Sequence, residues 1–400
     1  MSNLDRRRVL RLFAALGAAG AAAPVLSACS TGGGAGDEPT TVRGGPPIKI
    51  GMIVPQTGAN KALGDDMANG FQLYLKNSGN ALGGRQVTLV TAEEGDTADT
   101  GRAAAEKLIK QDRVLALTGV VSGQTMAAIK DLVESSQIPL VGSNAAPTNL
   151  GGLYIWRTSF LPSEPSQALG RWAAEHADGT VAVVAAEYPG DKDEVKAFLD
   201  AFGAAGGNVA GSPRYTSLST KDYGSVLQAV KSSGASAMFC YYAGAAAIDF
   251  VKQFKAAGFP SSFKVFAPGA LTEGTTLKQQ GDAAKGIYTA MNYSPDLDNA
   301  ANRRFVADYQ KQFTVVPSTY AMASFDAAAV LDKAINEAAA NLTSQQLNAA
   351  LGRLGQIDSP RGSWQFSANR APLQRWYMRQ VRNDGMVLSN VLTAELTTLG

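Results

Sequence analysis

The 400-residue chain is poor in the side chains that most enzyme chemistry needs. It has one histidine, His176, and two cysteines, Cys29 and Cys240. A lone imidazole argues against a histidine-built metal site, and the position of His176 on a predicted helix beside a turn argues against a Ser-His triad. Cys240 lies in the apolar run Ala237-Met238-Phe239-Cys240-Tyr241 and reads as core, so no internal disulfide is expected. No G-x-G-x-x-G opens a helix after a strand, and there is no P-loop. These absences argue against an enzyme, and nothing calls for a cofactor. Charge of one sign is also scarce, at 36 Lys+Arg against 34 Asp+Glu. Residues 1–28 hold four of the arginines and one aspartate. Without them Lys+Arg falls from 36 to 32 and Asp+Glu from 34 to 33, a net charge near −1. No nucleic-acid-binding or polybasic membrane surface is indicated.

The N-terminus, by contrast, is rich in signal. Asp5-Arg6-Arg7-Arg8-Val9-Leu10-Arg11 is basic, residues 12–25 are apolar and rich in Ala and Gly, and Leu26-Ser27-Ala28-Cys29 follows. This is the three-part pattern of a secretory signal, and its apolar run is too short to span a bilayer. The arginine run resembles a twin-arginine signal, although a general secretory signal can be equally basic. Leu26–Cys29 resembles a bacterial lipobox. The resemblance implies cleavage after residue 28 and lipidation of Cys29, holding the protein on the outer face of the cytoplasmic membrane. Two acyl chains give a durable anchor where one does not. Residues 29–46, rich in Gly, Ser, Thr and Pro, read as a flexible tether.

From Ile48 onward, apolar runs alternate with helical periodicity. Strands are predicted at 48–54, 87–90, 114–117 and 139–141, with helices over 64–77, 97–111 and 123–136 between them. After Trp156-Arg157-Thr158-Ser159-Phe160 the alternation restarts. Helices are predicted over 166–176, 193–204 and 245–257, and strands at 181–185, 237–241 and 264–267. Later helices over 302–312 and 324–341, and strands around 364–366 and 376–381, fit either series. Two βα series of similar size predict an α/β protein of two doubly wound, Rossmann-like lobes. Ligands are then expected outside the carboxyl ends of the strands.

At this point the chain resembles the branched-chain amino-acid (Leu/Ile/Val) type of periplasmic binding protein. The resemblance is carried by Ile48-Lys49-Ile50-Gly51, Gly64-Asp65-Asp66-Met67-Ala68-Asn69-Gly70, Leu82-Gly83-Gly84-Arg85 and Thr118-Gly119-Val120-Val121-Ser122-Gly123. Ile138-Pro139-Leu140-Val141 and Trp156-Arg157-Thr158-Ser159 add to it. It implies a type I fold with three crossovers between lobes: an N-lobe of 47–160 and 288–358, and a C-lobe of 161–287 and 359–400. It also implies a monomer that hands a small solute to the permease of an ABC importer and touches the membrane only through its lipid. A sensor presenting bound solute to a receptor kinase is the alternative. In its second half the chain is similar to the subgroup serving aromatic-acid uptake, through Tyr154–Phe160, Ala243–Ala247, Leu271–Gly274 and Asn292–Asp298. The solute implied is a small hydrophobic or aromatic carboxylate, with a branched-chain amino acid as the alternative.

Candidate ligand-binding residues follow from both readings. Ser122, Gly123, Gln124 and Thr125 join a strand to a helix, where free N–H groups and a hydroxyl suit a carboxylate. Ser122 also reads as an ordinary N-cap, and the two roles are compatible. Ser143, Asn144, Ala145 and Ala146 match the family's second carboxylate-holding loop, with Ala146 where amino-acid binders carry threonine. Asn144 is the candidate substitute donor. On the facing lobe, Tyr188 matches a ring that closes over the ligand, or is simply a turn tyrosine. Of Tyr241 and Tyr242, alternation lets only one point to a given face. Phe160 offers further flat area. Ala270 stands where amino-acid binders place a carboxylate for the ligand's ammonium. Should that register be shifted, Glu273 takes the role.

Overall fold

In the computed structural model, residues 44–144, 147, 150–187, 192–338 and 342–400 are described. Among them there are two sheets. The first contains β1 (Ile48–Val54), β2 (Ala81–Leu82), β3 (Arg85–Glu93), β4 (Ala116–Gly119), β5 (Leu140–Gly142) and β6 (Ile155–Arg157). Its strand order is β2-β3-β1-β4-β5-β6, parallel except for the β2–β3 hairpin. Helices α1 (Lys61–Asn77), α2 (Ala98–Lys107) and α3 (Gly123–Ser136) connect these strands. Parallel strands covered on both faces need apolar side chains on both, and β1 is buried at every position except Lys49. Ile50, Met52 and Phe71 pack on one face, and Ile53, Leu117 and Ile129 on the other.

The second lobe begins with α4 (Ser163–His176), β7 (Val181–Ala186), α5 (Lys192–Ala204), β8 (Arg214–Thr216), α6 (Gly224–Ser232) and β9 (Ala237–Tyr241). It continues through α7 (Gly244–Ala256), β10 (Lys264–Pro268), α8 (Thr275–Gln280) and β11 (Tyr288–Met291). Helices α9 (Ala300–Phe313), α10 (Thr319–Glu337) and α11 (Ser344–Leu351) come next. The chain ends in β12 (Gln365–Phe366), β13 (Pro372–Asp384) and β14 (Val387–Leu399). The second sheet runs β12-β13-β11-β10-β9-β7-β8, with β14 paired to β13. Cys240 is fully buried there beside Val184, Met238 and Phe250, and burial pushes its thiol pKa up.

Several boundaries differ from the sequence expectation. The first lobe was expected to resume at 288, but β11 pairs with β10 and β13 and belongs to the second sheet. Residues 155–157, for which no strand was predicted, form the edge strand of the first sheet. Helix α10 starts five residues before the expected 324, because Ser318 caps it by accepting from Ala321 N at 3.3 Å. The helix expected over 97–111 stops being α at Lys107 and closes in a π turn, Leu108–Asp112. Both β13 and β14 return to the second sheet.

Where the chain passes between the sheets, a buried polar cluster joins the crossings. Asp326, inside α10, accepts from Ser359 Oγ at 2.7 Å, Arg361 Nε at 2.9 Å and Trp364 Nε1 at 3.0 Å. Arg361 also reaches the carbonyl of Thr158 and the side chain of Gln374. Gln374 in turn donates to Ser159 O at 3.0 Å and accepts from Asn292 at 2.9 Å. Burial disfavours both charges of the Asp326–Arg361 pair, and their mutual attraction opposes that.

Candidate ligand-binding site

The first lobe's candidate site is built at the carboxyl end of β4. Gly119 is left-handed at φ +98, and a Cβ there would lie 2.2 Å from the carbonyl oxygen of Ile53. Val120 also sits at φ +66, a strained conformation for a β-branched residue. It is held there by donating to Ile53 O at 2.7 Å. The chain then turns so that Val121 N and Ser122 N donate to Glu94, at 2.8 and 2.7 Å. Glu94 is fully buried. Burial raises its pKa, and the bonds from Val121, Ser122 and Thr125 oppose the rise.

Sequence reasoning missed Glu94. The carboxylate pair Glu93-Glu94 closing a strand beside Gly95 was the available signal. Its presence narrows the expected anion cradle, because two loop amides are already engaged. Ser122 is the N-cap, accepting from Thr125 N at 3.3 Å, and its hydroxyl can still donate. Thr125 is buried against Glu94, whereas Gly123 and Gln124 are exposed in the first turn, where helical N–H groups lack intrahelical partners.

The neighbouring loop is tied to this one. Ser143 N donates to Gly119 O at 3.1 Å, and Asn144 Nδ2 donates to Val121 O at 2.8 Å. Asn144, expected as a substitute donor, therefore has one amide hydrogen engaged in joining the loops. Ser143 Oγ is buried with no hydrogen-bond partner among the described residues. Ala145 and Ala146 lie outside the described residues, as do Tyr188 and Cys29.

On the second lobe the two adjacent tyrosines face opposite ways. Tyr242 is buried, stacked on Phe250 at 4.2 Å between ring centroids and edge-on to Tyr223 at 5.4 Å. Tyr241 is half-buried at the strand end and donates to Glu194 Oε1 at 3.2 Å. Glu194, in the first turn of α5, is itself buried. Tyr242 thus belongs to the core, and Tyr241 is the tyrosine that keeps accessible area. Phe160 packs edge-to-face on Trp376 at 5.4 Å, where the chain leaves the first lobe.

Ala270 is half-buried in a short 3-10 turn after β10. Glu273 is buried with both oxygens engaged. Oε1 accepts from Thr319 N at 2.9 Å, and Oε2 pairs with Arg379 Nη2 at 2.7 Å. In the shifted-register alternative this carboxylate would receive a ligand ammonium. That carboxylate already holds a cation and a helix N-terminus.

Comparison with known proteins agrees with this architecture. Residues 47–386 match the profile of the family described as periplasmic binding protein. The Leu/Ile/Val-binding protein homolog 6 of Brucella melitensis is 30% identical over 270 residues, covering 66% of this chain and 69% of that protein. An ABC-transporter solute-binding protein of Rhodopseudomonas palustris, solved with 3,4-dihydroxybenzoic acid, is 28% identical. It superposes with a TM-score of 0.81 over 90% of this chain and 98% of its own. A leucine-binding protein of Thermotoga maritima, 20% identical, shares the fold with a TM-score of 0.78 over 87% of this chain and 98% of its own. The chain belongs to the periplasmic binding protein family, as a solute-binding protein rather than an enzyme.

Proposed function

We propose that this protein is an exported lipoprotein, anchored through Cys29, that captures a small aromatic or hydrophobic carboxylate between its lobes. It then presents the solute, as a monomer, to the permease of an ABC importer. The carboxylate is received on the first lobe by the exposed first turn of α3, with the Ser122 and Ser143 hydroxyls. Tyr241 and Phe160 supply flat apolar area for a ring. The observation that carries the reading is the engagement of Glu273 with Arg379 and Thr319. With Ala270 beside it, this loop offers no free carboxylate to an ammonium, and burying an unpaired ammonium costs several kcal/mol. The dihydroxybenzoate bound by the Rhodopseudomonas protein is a solute of the proposed class.

A second reading, a branched-chain amino acid, is favoured by Glu194. Its buried carboxylate accepts from Tyr241, the tyrosine that keeps accessible area at the strand end. Calorimetry of the purified protein with benzoate, 4-hydroxybenzoate, phenylalanine and leucine separates the two. The benzoates should bind about 10²-fold more tightly than the amino acids, the value of one buried charge partner. Tight leucine binding that Glu194→Gln abolishes, with no response to either benzoate, would establish the second reading instead.

A further inference from the structure

The first sheet ends in a cavity that the solute cleft does not explain. Arg157 closes β6, two strands beyond β4, and its backbone N donates to Arg370 O at 2.9 Å. The residue is 5% exposed. Yet its hydrogen bonds are poor. Nη1 reaches Asn369 O at 3.4 Å and Nη2 reaches Pro147 O at 3.5 Å, both at the long limit. Nε is buried with no partner among the described residues. No ion pair joins Arg157 to a carboxylate among the described residues. A guanidinium has five donors in a planar fork, and an unfilled buried edge is unfavourable.

The fork lines a cavity of about 310 Å³ together with Gly151, Leu161, Asn369 and Arg370. A Cβ on Gly151 would meet nothing within 4 Å, so that wall is open. Arg370 is left-handed at φ +55, with its guanidinium 4.3 Å over the Trp156 ring, and adds a second cation at the rim. The acid that faces Arg157 electrostatically is Glu164, in the first turn of α4. One of its oxygens accepts from Leu161 N at 3.0 Å, and the other is buried without a partner. Glu164 thus leaves the fork of Arg157 unfilled.

The geometry points to a second binding site here, for a small monocarboxylate held end-on by the two Nη groups of Arg157, whose present bonds are at the long limit, its apolar body against Leu161. A planar carboxylate matches the guanidinium fork with two parallel bonds, which a tetrahedral oxyanion or a point charge does less well. Leu150 and Ile155, also in the lining, favour a body of a few carbons over a fully hydrated anion. The site is independent of the solute taken by the cleft. Its donors are side chains at the edge strand, not the helix start after β4. Its walls come from the first lobe and from the turn entering β13, so occupancy links the two.

The test is an NMR titration of the protein labelled with ¹⁵N-arginine, following Nε–H resonances while sodium acetate is added. One resonance should shift saturably, and it should be the one missing from Arg157→Lys. A Leu161→Trp variant, which fills the cavity and leaves Arg157 in place, should weaken the response at least tenfold. It also serves if Arg157→Lys does not fold. Inorganic phosphate should shift the same resonance more weakly than acetate. Absence of a saturable shift, a shift that survives Leu161→Trp, or tighter binding of phosphate would each overturn the assignment.

Discussion

Glu273 and Arg379 form a buried ion pair, Oε2 to Nη2 at 2.7 Å, while the other Glu273 oxygen accepts from Thr319 at the start of α10. The carboxylate comes from the loop after β10, in the second lobe. Helix α10 packs on α1 of the first lobe, so through Thr319 the Glu273 carboxylate joins the lobes. Glu273→Gln should therefore destabilise folding by about 3–5 kcal/mol, since it leaves a buried guanidinium unpaired. Denaturant unfolding measures this. Unchanged stability with a collapse of leucine affinity would return Glu273 to the ligand site.

Glu94 should matter to binding without touching solute. Its two bonds hold Val121 and Ser122 in the turn that aims α3. Glu94→Ala leaves two amides without an acceptor, worth about 1–3 kcal/mol each when buried. Solute affinity by calorimetry should fall tenfold or more, with Glu94→Gln intermediate. Wild-type affinity in the alanine variant would show that the turn holds its shape unaided.

Stability should fall as pH rises from about 4 to 7. Burial lifts Glu164 from its ordinary 4.5 to about 7, against the hydrogen bond from Leu161 and the charge of Arg157. Burial likewise lifts Asp66 from 3.8 to about 6, opposed by Ser318 and reinforced by repulsion from Glu273. In both, the native state holds the proton more tightly than the unfolded chain does. The advantage is complete below the unfolded pKa and is lost between about pH 4 and 7. Relative to wild type, Glu164→Gln should then gain up to about 3 kcal/mol at pH 8 compared with pH 4. Urea unfolding at both pH values tests this, and an equal difference at the two would refute it.

Cys29 carries the proposed anchor. Cys29→Ser should leave an unprocessed precursor or release the protein from the membrane fraction. Mass spectrometry of the mature N-terminus, with fractionation, checks it. Normal processing together with full membrane retention in the variant would exclude the anchor.

Local chemistry alone made much of the fold readable. Val181–Ala186 is an unbroken apolar run because a parallel strand covered on both faces must be one. Thr97 and Ser122 announced helix starts because a cap satisfies amides only three residues away. The alternation of strands and helices then left few topologies, and the ordered motifs pointed to one family. What stayed hidden depends on partners distant in sequence. Three-residue β6 is too short to show a period, and its strand character comes from pairing with β5. Alternation placed Tyr241 and Tyr242 on opposite faces, but only the packing of Phe250 and Tyr223 decided which is core. Glu94 lies 27 residues from the first amide it holds, and Glu273 lies 106 from Arg379. Neither pairing leaves a periodic trace, because a buried charge is matched by proximity in space and not by position along the chain. Sequence determined that there are two lobes and what faces of each are apolar. Only tertiary structure decided which carboxylates were already engaged, and with that the charge left to meet a solute.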